Sequence, residues 1–194
     1  MQVTYFQRKP RGHSNYSVER VFDGVRRELS DRIEADVCVA PCHSSGLVDR
    51  IRIACHARRH QGEVNHVTGD TNFTALGLDG RRTILTNLDC GYIASSAGLR
   101  RWLLSLLWLK LPVRHVAAVT TLSNQMRAEI VRHTGCPSDK VHVIPVAVPA
   151  GLTALPREFD SECPRILQVG TTANKNLPRL IEAVAGLSCK LIII

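Results

Sequence analysis

The chain has 194 residues, 44% hydrophobic and 22% charged, a balance that builds a globular core and excludes an intrinsically disordered protein. Its formal charge of +8 attracts anions, but aromatic residues make up only 5% and there is no dense basic tail, so nucleic acid is not expected as a partner. No apolar run reaches the roughly 18 residues of a membrane span, and the first ten residues lack the basic-then-apolar pattern of a secretory leader.

In chain order, residues 2–6 read as a strand. Ser17 can cap a helix whose stripe is Val18, Val21, Phe22, Val25 and Leu29. Residues 35–40 form a buried strand, and Ser45 can cap a second helix with Val48, Ile51 and Cys55 inward. Strands follow at 64–67 and, after the Asp79-Gly80 turn, at 83–86. A leucine-rich stretch opens at Leu99, closes at Leu111 and is expected to stop at Pro112. It reads either as core or, through Trp102, Trp108 and the leucines set between basic residues, as a peripheral membrane contact. A strand at 116–120 leads to a helix opened by Ser123 and closed by Gly135, then to a strand at 141–144.

Short apolar strands alternating with helices predict an α/β protein with a doubly wound, Rossmann-like parallel sheet. Four prolines between 145 and 164 interrupt the pattern, after which a strand–helix–strand series begins at Arg165. The expected organisation is a domain over 1–148, a linker over 149–164 and an incomplete second Rossmann-like domain, one βαβ unit, over 165–194.

Seven scattered cysteines suit reduced thiols in a cytoplasmic setting better than a disulfide framework. Cys38, Cys42 and His43 lack a second ligand pair at metal spacing, so no metal is expected. Gly170, Thr171, Thr172, Asn174, Lys175 and Asn176 occupy a strand-to-helix junction. Two readings are open for this turn. One is a phosphate-binding loop with backbone N–H groups and a lysine aimed at an anion; the other is an ordinary helix start capped by Asn176, with Pro178 in the first turn.

The stretch "ILQVGTTANKNLPRLIEAV" closely resembles the start of the second domain of the retaining glycosyltransferases of family 4, which have the GT-B fold. "NYSVERVF", "NHVTGD", "RTILTNLDC" and "VTTLSNQMRAEIVRHTGCPSDKVHVIP" resemble further segments of that family in the same order, so the resemblance covers nearly the whole chain. It implies two Rossmann-like domains, an acceptor-side domain first and a donor-side domain second. It implies transfer of a sugar from a nucleotide-sugar donor to an acceptor hydroxyl, with retention and without a cofactor. Lys175 then matches the family's diphosphate-binding lysine, with Gly170 to Asn176 as the donor turn. Asn15, Tyr16, Ser17, His66, Asp70 and Asp89 fall on the acceptor-side cleft. For His66 and Asp70 the competing role is a hydrogen-bonded turn, and for Asp89 it is a cap.

Departures accompany the likeness. Leu88 stands where the family has a histidine, Thr171 where it often has an arginine, Asn124 where it has a glutamate, and Val146 where it has an asparagine. The catalytic group is therefore unknown, with Asp89 the candidate beside Leu88. The family's donor-side glutamate pair has no counterpart before Ile194, so the chain is expected to be a truncated, inactive fragment. The alternative is a non-catalytic relative that binds a glycan or an anionic partner. Family acceptors are often lipid-linked, which places the expected site of action at the inner face of the membrane.

Overall fold

The computed structural model describes residues 1–10, 17–29, 31–94, 97–146, 153–156 and 158–194. Contacts divide the chain into two units, Met1–Pro149 and Ala150–Ile194.

The first unit is built on six parallel strands: β1 Gln2–Gln7, β2 Glu34–Val39, β3 Val64–Val67, β4 Thr83–Thr86, β5 Ala118–Thr121 and β6 Val141–Val143, in the order β2-β1-β3-β4-β5-β6. Parallel pairing needs crossovers, and helices supply them. These are α1 Ser17–Arg27, α2 Leu47–Arg59, the short α3 Gly91–Ala94, then α4 Gly98–Leu104, α5 Leu111–His115 and α6 Asn124–Thr134. The α/β class read from the alternation is the one observed.

Register partners in a parallel sheet point to the same face. Cys38, Phe6, Val67, Leu85, Val119 and Val141 are partners in turn across all six strands, and all are buried. This apolar row packs under Ala57, Ala75, Leu109, Val113 and Ile130. Each fully buried leucine or valine in it contributes roughly 1.5–3 kcal/mol relative to exposure. On the opposite face Val3 and Tyr5 pack with Phe22 of α1, with Val18 and Leu29 at the margin. Val25 of the expected stripe is instead exposed.

Three local expectations are corrected. In α2 the cap is Gly46, in extended conformation, and the inward residues are Ile53 and Ala57, while Val48, Ile51 and Cys55 face solvent. The reason is a 3-10 helix at Asn72–Gly77 that crosses close to α2; a Cβ on Gly77 would stand 2.9 Å from the Ala54 carbonyl oxygen. Close approach selects the small-residue face over the more apolar one. Secondly, the helix does not stop at Pro112. A π-helical segment, Ser105–Lys110, widens the turn, and Pro112 sits in the first turn of α5. Thirdly, Asn176 adopts left-handed backbone (φ 55°) with no side-chain cap bond. By contrast, α6 is capped as its sequence predicts. The Ser123 hydroxyl accepts from the Met126 N–H at 3.2 Å, and Gly135 closes the helix at φ 67°.

The second unit contains two parallel strands, β7 Arg165–Gln168 and β8 Lys190–Ile193, joined through α7 Leu177–Val184. None of its described residues is buried, and Leu167, Val169, Ile181, Leu187 and Ile194 are exposed. Among the described residues, no helix is long and apolar enough to cross a membrane.

Candidate functional site

Open α/β sheets bind ligands outside the carboxyl ends of their strands, where the strand order reverses. Here the chain runs from β1 outward to β2 and then back past β1 to β3. The reversal places the crevice between the loop after β1, which begins at Arg8, and the loop after β3, Thr68-Gly69-Asp70.

Arg8 ties these loops to α1. Its Nε and Nη2 donate to Glu19 Oε1 and Oε2 at 2.7 and 3.4 Å, and its Nη1 donates to Asp70 Oδ2 at 2.5 Å. Glu19 lies in the first turn of α1, where the helix dipole favours a carboxylate. The paired carboxylates, with the Glu19 hydrogen bond foremost, hold the Arg8 guanidinium above its ordinary value. Thr68 anchors the β3 loop by donating from both its N–H (3.2 Å) and its hydroxyl (3.0 Å) to the Phe6 carbonyl. Gly69 (φ 99°) and Asp70 (φ 62°) are both left-handed. For Asp70 that conformation costs about 1 kcal/mol, and it turns the carboxylate toward Arg8. Among the described residues, the result is a forked guanidinium held by two carboxylates.

Asp70 thus stands on the loop after β3, paired with Arg8. Leu88 lies against Gly69, where a Cβ would meet its Cδ1 at 3.3 Å. Asp89 is exposed beside it, and its Oδ1 accepts from the Gly91 N–H at 2.9 Å, which starts α3. His66 is elsewhere. Its ring packs between Tyr5 and Phe22, each with centroids 5.1 Å away, and its Nε2 lies 2.8 Å from the Thr86 hydroxyl. Burial pushes its imidazole down to about 4, so it is neutral near pH 7. Mid-strand position and alternation explain this: Thr68 to Asp70 reach the strand's end, whereas His66 stands beneath α1. Asn15 and Tyr16 lie outside the described residues, as do the side chains of Ser17 and Asn174.

The sequence reading did not find Arg8, Glu19, Asn72 or Asn87. Asn72 Nδ2 donates to Asn87 Oδ1 at 2.8 Å, both residues being buried, and Asn72 Oδ1 has no protein partner. Arg8 directly follows the first strand, a usable signal. Its importance depends on strand order, which the sequence does not display.

In the second unit, Gly170 (φ 84°) lies two residues after β7, and the aliphatic stem of Lys175 folds over it, with Cγ 3.4 Å from where a Cβ would stand. The positive φ favours glycine here, while the lysine stem stands at ordinary contact distance. The expectation of a backbone cradle is corrected in part. The Gly170 N–H donates to Ile194 O at 2.6 Å, extending the β7–β8 ladder, and the Lys175 and Asn176 N–H groups donate to Thr172 O and Ala173 O within a 3-10 turn. Anion binding at this turn would use the Lys175 ammonium and the Thr171 hydroxyl.

The leucine-rich stretch divides in two. Trp108 packs on Phe73 (4.8 Å) beneath the Arg50 guanidinium (4.4 Å), and Leu109 is fully buried. Leu99, Trp102 and Leu103, on one side of α4, are exposed next to Arg100 and Arg101. Compared with protein-family models and with curated proteins, the chain matches none.

Proposed function

We propose that the first unit is the acceptor-binding side of a glycosyltransferase that moves a sugar from a nucleotide-sugar donor to an acceptor hydroxyl with retention, and that the second unit carries the start of its donor side. The Arg8–Glu19–Asp70 cluster at the strand-order reversal carries this reading. Two carboxylates and a forked cation offer many directed acceptors and donors at close range, which suits vicinal hydroxyls. The donor's diphosphate falls to Lys175, whose positive charge offsets the charge gathered on the leaving group. Exposed Leu99, Trp102 and Leu103 with Arg100 and Arg101 fit an acidic bilayer surface, consistent with a lipid-linked acceptor met at the cytoplasmic face.

A second reading, glycan binding without transfer, is favoured by Leu88 in place of a proton-carrying side chain and by the engagement of Asp89 with the Gly91 N–H. One set of titrations separates them. Calorimetry of the chain with uridine and guanosine diphosphate sugars and with neutral oligosaccharides is expected to show both classes binding. Lys175→Ala weakens the first about tenfold, the loss of one charge-assisted contact, and Asp70→Ala weakens the second. Oligosaccharide binding alone supports the second reading; binding of neither refutes both.

A further inference from the structure

We propose that Cys38, His56 and His60 form a zinc site that fastens α2 to β2. The three residues come from two elements. Cys38 is buried on β2, and His56 and His60 stand one helical turn apart at the end of α2. One ligating atom from each lies within 4.8 Å of the other two. Tetrahedral zinc with sulfur at about 2.3 Å and nitrogen at about 2.0–2.1 Å sets such atoms roughly 3.3–3.6 Å apart, so the side chains close by up to about 1.5 Å on binding, within the reach of χ rotation. The imidazoles already stack, with centroids 4.2 Å apart.

The tautomer of His60 is preset. Its Nδ1 is 2.8 Å from the His56 carbonyl oxygen. A carbonyl only accepts, so Nδ1 carries the proton and Nε2 presents its lone pair. This is the outer hydrogen bond that orients metal-bound histidines. Zinc binding replaces the Cys38 thiol proton, which leaves to solvent as the Zn–S bond forms.

The surroundings fit a fourth ligand from solvent. A small cavity lined by Cys38 and His56 also contains Gln7 and Thr74. Gln7 Nε2 and Thr74 Oγ1 are buried with no protein partner, and they offer hydrogen bonds to a zinc-bound water. One thiolate with two imidazoles selects zinc over magnesium or calcium, which take oxygen ligands.

The test is titration of the full 194-residue chain, kept reduced, with Co²⁺ and then Zn²⁺ alone. Expected are one equivalent of cobalt, a thiolate-to-cobalt charge-transfer band, and its loss when zinc displaces cobalt. His60 is exposed, so His60→Ala folds and should lower cobalt affinity at least about 100-fold, the upper end for outer-partner losses. Cys38→Ser should abolish the band, while Cys42→Ser and Cys55→Ser leave it intact. A missing band, or one unchanged in His60→Ala, overturns the assignment.

Discussion

His66 should make this protein acid-sensitive by an amount the structure sets. An unfolded histidine ionises near 6.5, whereas His66 in the fold ionises at about 4. Between those values the unfolded chain binds a proton that the native chain refuses, so stability rises with pH. The contribution is complete above pH 6.5 and is lost as pH falls toward 4. The full gap is worth about 3 kcal/mol, at 1.36 kcal/mol per pH unit. Between pH 7 and 4.5 the loss is about 2 kcal/mol. The physical source is the pocket: Tyr5 and Phe22 rings on either side, and the Thr86 hydroxyl at Nε2, itself 2.7 Å from the Thr120 hydroxyl. His66→Gln keeps a hydrogen-bonding partner for Thr86 and removes the titration. Urea unfolding at both pH values, for parent and variant, isolates His66, because carboxylates titrating in the same window cancel in the difference. With a slope of about 2 kcal/mol per molar, the parent's midpoint should fall about 1 M further than the variant's. Equal falls would show that the ring is solvated or charged in the fold, and the reasoning would fail.

Removing Arg8 should distinguish Glu19 from Asp70 among its partners. Arg8→Met leaves Glu19, only 15% exposed, without its bidentate partner and should cost about 2 kcal/mol by urea unfolding. Asp70→Asn, at a 45% exposed position, should change stability by less than about 0.5 kcal/mol, and equal costs would contradict the geometry. Gly80→Ala would place a Cβ 2.1 Å from the backbone oxygen of His115, so a loss of about 3 kcal/mol is expected in thermal or urea melts. Trp102→Ala should leave stability within about 0.5 kcal/mol yet weaken sedimentation with phosphatidylserine vesicles; unchanged sedimentation would remove the membrane contact.

Much of the fold is legible in the chain as written. Local chemistry suffices for elements whose cause is local: apolar runs for the strands, Ser123 and Gly135 for the ends of α6, and Gly170 for a left-handed turn that no other residue takes without strain. Relations between distant residues are not local. Arg8 and Asp70 are 62 positions apart and meet because β3 pairs beside β1. Cys38 and His56 meet because α2 turns its small face inward, contrary to its hydrophobic pattern. His66 reads as a cleft residue in "NHVTGD" but lies beneath α1, since which face of a strand is covered depends on the helix that lands there. Side-chain alternation is written into the sequence, but the choice of partner for each face is made by packing.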